Sequence, residues 1–129
     1  MKNQILSYLI TDPKYYSNDP ILFKEKLENV LSKEHVHMAC FRDKTSKNFA
    51  KLAKIFVDIC KKFNIEKILI NGDYELAKAL NTTGVHLRSD QFDEIKKAKE
   101  LDLYVIISCH NYKDMDNAKK LNANSVTYS

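Results

Sequence analysis

Short apolar runs rich in β-branched residues alternate with longer amphipathic stretches from one end of this sequence to the other, and that alternation constrains its fold more than any other feature. The runs Leu6–Ile10, His35–Phe41, Lys67–Ile70, Val85–Leu87, Tyr104–Ser108 and Ser125–Tyr128 are almost continuously apolar or aromatic, as strands covered on both faces must be. Amphipathic stretches fill the gaps. Asp19 and Pro20 open a helix whose face is Ile21, Leu22, Leu27, Val30 and Leu31. Ser46 caps the longest helix, with Phe49, Leu52, Ala53, Phe56, Val57, Ile59, Cys60 and Phe63 at spacings of three and four. Asp73, Asp90 and Asn111 cap three more. Strict strand–helix alternation predicts a parallel sheet with right-handed crossovers, built from about six strands and five helices.

Composition narrows the choice. Two glycines and two prolines are too few for a turn-rich all-β fold. No apolar run approaches the ~18 residues of a membrane-spanning helix. The first dozen residues carry no small-residue cleavage site and read as a strand, not a secretory leader. The net charge of +4 comes almost wholly from lysines interleaved with acids along helical faces, which excludes a nucleic-acid surface of clustered basics and aromatics. Three widely spaced cysteines, Cys40, Cys60 and Cys109, predict free thiols in a cytoplasmic protein. Two architectures fit the alternation: an open doubly wound sheet and part of a (β/α)8 barrel. The length of 129 residues favours the open sheet, because a complete barrel takes ~250. The last strand, with no covering helix after it, suits a divided barrel equally well.

In both architectures ligands bind beyond the carboxyl ends of the strands. Those ends carry Thr11 and Asp12; Arg42, Asp43 and Lys44; Asn71, Gly72 and Asp73; Arg88, Ser89 and Asp90; and Ser108, Cys109, His110 and Asn111. Both arginines of the chain fall in this set, which points to a polar pocket for an anionic ligand. Arg42 and Lys44 are spaced to grip one phosphate, or else are solvated basics paired with Asp43. His110 follows a strand end, and imidazole titrates near ~6.5, so it can move protons at neutral pH. His86 in the fourth strand is more simply a hydrogen-bonded core residue. No Cys-x-x-Cys, Walker or Gly-x-Gly-x-x-Gly pattern supports a metal cluster or a nucleotide site.

Taken together, the stretch Tyr8–Asp12, the pair Arg42 and Lys44, Asn71 followed by Glu75-Leu76-Ala77, Gly84-Val85-His86-Leu87 and Ser108 with His110 resemble the thiamin phosphate synthase/TenI family over almost the whole chain. The resemblance implies a (β/α)8 TIM-barrel fold, with residues 1–129 forming one partial domain of it. It implies either thiazole tautomerase activity, a proton shift on a thiazole carboxylate phosphate, or synthase activity. The synthase joins a pyrimidine methyl pyrophosphate to a thiazole phosphate with magnesium. The implied partner is a small phosphorylated thiazole or pyrimidine, with a homo-oligomer left open.

By this resemblance Arg42, Lys44, Asn71 and Ser108 bind substrate or its phosphates, and His110 is the catalytic acid/base. Cys40 stands where the synthase has glutamine. Gly72 and Gln91 stand where it has magnesium-binding aspartates, with Asp73 and Asp90 as the nearest substitutes. Magnesium wants charged oxygen ligands, so these departures favour the tautomerase, which needs no cofactor; magnesium enters only if the protein is a synthase. A non-catalytic ligand-binding remnant is the third reading. The family's phosphate loops lie past the position of Ser129, so 129 residues are expected to be a piece of a longer protein, an open six-strand relic, or a barrel completed by a second copy.

Overall fold

A computed structural model describes residues 6–129. Residues 1–5, and the reading of the extreme N-terminus with them, lie outside it. The chain clusters into two compact units, Met1–Ile68 and Leu69–Ser129.

The first unit runs β1 (Tyr8–Ile10), α1 (Pro13–Tyr16), α2 (Pro20–Lys33), β2 (Met38–Phe41) and α3 (Phe49–Lys62). β1 and β2 are parallel, with Leu9 opposite Ala39. Lys67 at the start of β3 (Lys67–Asn71) donates its N–H to the His37 carbonyl, extending the same parallel run. The core of this unit is aromatic. Phe23 meets Phe41 edge-on at 5.7 Å, and Phe41 lies 5.7 Å from Phe56.

α2 buries Phe23, Leu27 and Leu31, whereas Ile21 is 70% exposed and Leu22 44%. A stripe at steps of four puts Phe23 inward, and its ring buries more area than Ile21 could. α3 begins at Phe49 after Asn48, not after Ser46. Ser46 instead belongs to a loop folded around Asp43, which accepts the Thr45 and Ser46 N–H groups at 3.0 and 2.9 Å. The one-turn α1 has no counterpart among the expected elements. Asp12 caps it and Pro13 opens it, a start signal too short to register as periodicity.

The second unit continues with α4 (Tyr74–Ala79), β4 (Gly84–Leu87), a 3-10 turn (Phe92–Glu94), α5 (Ile95–Glu100), β5 (Tyr104–Cys109), α6 (Tyr112–Lys120) and β6 (Ser125–Tyr128). Its strands pair in chain order, all parallel, as successive strand–helix–strand units give. Asp73 and Asn111 cap α4 and α6 as expected. Asp90 does not cap the segment after β4; its carboxylate pairs with Arg88 Nε at 3.2 Å. Gly84 sits so close to β5 that a Cβ would fall 1.9 Å from the Tyr104 carbonyl oxygen.

Glycine scarcity has a structural counterpart. Four helices end with Asn64, Asn81, Asp102 and Asn122 at φ 57 to 63°. Each is followed by a residue whose N–H closes back on the last turn, as Ile65 does on Cys60 and Leu103 on Ala98. These are Schellman ends with asparagine or aspartate where glycine is usual.

Candidate functional site

In the first unit the buried Thr11 ties the ends of β1 and β2 together. Its N–H donates to the Cys40 carbonyl at 3.0 Å, and its hydroxyl oxygen accepts the Arg42 N–H at 3.2 Å. Arg42 is thereby fixed as the first residue beyond β2, with Lys44 exposed two residues on. Neither basic side chain makes an ion pair among the described residues. The pairing with Asp43 that the sequence left open is absent, because Asp43 is engaged by the Thr45 and Ser46 amides. Burial alone would raise the Asp43 carboxyl pKa; hydrogen bonds from Ser46 and Thr45 outweigh it and hold the pKa below the usual aspartate value. Cys40 is fully buried, and burial pushes its thiol up to about 12, against the lowering pull of Tyr8 and Arg42. It is therefore inert as a nucleophile. The neighbouring cleft of about 460 Å³ is lined by Ile10, Asp12, Tyr15 and Lys26 among others, and by neither Arg42 nor Lys44.

In the second unit three polar side chains line up across adjacent strands of an otherwise apolar sheet. His86 Nε2 lies 3.1 Å from Ser108 Oγ and 3.4 Å from Thr127 Oγ1, and the Thr127 hydroxyl donates to Ser108 Oγ at 3.3 Å. Asn71 is the register partner of His86 on β3, so the row runs β3 to β6. His86 is 4% exposed, the satisfied core histidine expected of it, yet it also fixes the Ser108 hydroxyl. Sequence reasoning missed Thr127; its only signal was a hydroxyl residue one position before the end of β6.

His110 stands apart from this row. It is exposed, one residue past β5, and its backbone N–H donates to Asp114 Oδ2 at 3.1 Å. Its Nδ1 faces the Ser129 carbonyl at 3.2 Å, so Nδ1 carries the proton. Nε2 lies 3.1 Å from Ser89 Oγ. An imidazole hydrogen-bonded to a serine hydroxyl is placed to exchange protons through it. Arg42 and Lys44 group within the first unit; Asn71 and Ser108 share the polar row of the second, and Ser89 joins His110 to the end of β4.

Residues 7–129 match the family described as thiamine monophosphate synthase. The chain belongs to that family. It is 38% identical over 112 residues to a thiamine-phosphate synthase of Pelagibacter ubique, covering 84% of this chain and 52% of the relative. It is 30% identical over 134 residues to the Lactococcus lactis thiamine-phosphate synthase, covering 95% and 61%. Among solved structures it resembles a thiamine phosphate pyrophosphorylase from Pyrococcus furiosus, with a TM-score of 0.75, 16% identity, and coverage of 96% of this chain and 60% of that one. The likeness establishes the fold: parallel strands alternating with helices, of the TIM-barrel-like α/β type. This thiamine monophosphate synthase family chain spans about half to three fifths of the length of these relatives.

The family implies magnesium. The two positions the family resemblance gives to metal-binding carboxylates hold Gly72 and Gln91. The Gln91 side chain is 4% exposed and fully engaged, its Oε1 accepting the Arg88 N–H at 2.8 Å. Its Nε2 donates to the Gly72 carbonyl at 2.9 Å and to Glu94 Oε2 at 3.0 Å. A Cβ on Gly72 would meet Arg88 Nη1 at 2.7 Å. A glycine, a committed amide and a guanidinium do not fit a hard divalent cation. The substitutes Asp73 and Asp90 each have an oxygen committed, to the Leu76 N–H and to Arg88.

Proposed function

We propose that the protein works in thiamine biosynthesis as a thiamine-phosphate synthase, joining a pyrimidine methyl pyrophosphate to a thiazole phosphate with release of pyrophosphate. The observation that carries this reading is the family match over residues 7–129, with relatives named as synthases. It moves the weight from the tautomerase expected from the sequence to the synthase. Arg42 and Lys44, without an ion pair among the described residues, supply positive charge for a phosphorylated ligand, and a guanidinium fork holds phosphate more tightly than neutral donors can. Ser108, oriented by His86 and Thr127, offers one aimed hydroxyl. The residues at the family's metal positions do not suit magnesium. The test supplies both substrates to the full-length protein and follows pyrophosphate release, with Arg42→Ala and Lys44→Ala as controls. Release that falls at least about tenfold in each variant supports the reading; no release from the wild type overturns it.

A second reading, thiazole tautomerase, is favoured by one specific arrangement. His110 places one ring nitrogen on the Ser129 carbonyl and the other on the Ser89 hydroxyl, and one acid/base suffices for a proton shift without metal. Aromatisation of the thiazole tautomer by the wild type and its loss in His110→Ala support this; equal rates in the two remove His110 from the chemistry.

A further inference from the structure

The disagreement over magnesium has a positive side. Arg88 leaves the end of β4 with its backbone N–H held by the buried Gln91 amide. Its guanidinium lies over Gly72, with Nη1 2.7 Å from where a Cβ would be. Gly72 is at φ +79°, a conformation that suits glycine, so the absent side chain both permits the turn and makes room for the guanidinium. Gln91 locks the floor by also donating to the Gly72 carbonyl. Only Nε of Arg88 is engaged among the described residues, by an Asp90 that is itself largely exposed. An exposed pair of this kind is worth little in water and leaves most of the guanidinium's charge available. Both Nη groups therefore remain to receive one. Ser89, the next residue, carries the bond to His110, which places the acid/base candidate on the same rim of the second unit.

We propose that Arg88, seated over Gly72, receives a phosphate or diphosphate group at this rim and supplies there the positive charge that a divalent cation would otherwise supply. The anion bridges the two Nη groups as a fork, beside the Asp90 carboxylate on Nε. The inference rests on the reading that the ligand is phosphorylated, but it does not depend on which reaction follows.

Calorimetric titration of the full-length protein with inorganic pyrophosphate, in the presence of a metal chelator, tests it. Wild type binds under these conditions. Arg88→Gln weakens binding by about tenfold or more, Arg88→Lys by less, and Asp90→Asn tightens it about two- to threefold. Gly72→Ala, which drives a methyl into the guanidinium, weakens it as well. Thermal melts of each variant confirm the fold. Absence of binding until magnesium is added, or unchanged affinity in a folded Arg88→Gln, overturns the proposal. Synthase turnover is scored separately. Turnover that persists with an Arg88-independent pyrophosphate affinity overturns this inference alone, and Arg88-dependent binding without turnover upholds it while overturning the synthase reading.

Discussion

Gly84 and Asp43 show how much of this molecule turns on single atoms. Gly84 is held by contact, not by its backbone angle: the Tyr104 carbonyl occupies the place of a side chain. Gly84→Ala must spread β4 from β5, and overpacking of this kind costs about 1–3 kcal/mol or more, read as a lowered denaturation midpoint. Asp43 acts through charge. Its pKa is lowered in the folded chain, so its contribution is complete above the ordinary aspartate value of ~3.9 and is lost as pH falls through the lowered folded value. Acid unfolding of the wild type is therefore expected to be steeper below about pH 4 than that of Asp43→Asn. Identical acid limbs in the two would contradict this. The sequence made the polar strand ends legible at this scale, because periodicity locates where each strand stops. It did not show which partner each group takes. Asp43 beside Arg42 and Lys44 looks like an ion pair on paper, yet two backbone amides capture it first. Ser108 was legible as a strand-end hydroxyl, but His86 and Thr127 reach it only across neighbouring strands, and register is not written in local spacing.

Among the elements, the strands were the most legible and the helix faces less so. All six strands form where apolar β-branched runs stand, shortened mainly at the first two, which begin at Tyr8 and Met38 and not at Leu6 and His35. α2 was misread because its mixed sequence supports two overlapping stripes, and tertiary contact with Phe41 selects the one through Phe23. The choice has a measurable consequence. Phe23→Ala is expected to destabilise by about 3–5 kcal/mol, whereas Ile21→Ala changes stability by less than about 0.5 kcal/mol. Comparable losses at both positions would restore the misread face. The helix ends offer a gain instead. Asp102 holds a left-handed angle that glycine adopts freely, so Asp102→Gly is expected to raise stability by an amount on the order of 1 kcal/mol. A lowered melting temperature would refute that account of the ends.

For the whole molecule, the alternation of elements, the family and the TIM-barrel-like fold agree. The reaction is where the sequence and the family pull apart. Neutral residues at the metal positions point away from a magnesium site, while the relatives point to the synthase. Arg88 over Gly72 reconciles the two by supplying charge from the protein itself. The most direct measurement is mass-spectrometric detection of thiamine phosphate after the full-length protein is incubated with the pyrimidine pyrophosphate and the thiazole phosphate. Formation of thiamine phosphate together with an equal amount of pyrophosphate is the predicted result. Recovery of both substrates unchanged, with aromatisation of the thiazole tautomer by the same preparation, would contradict the synthase account.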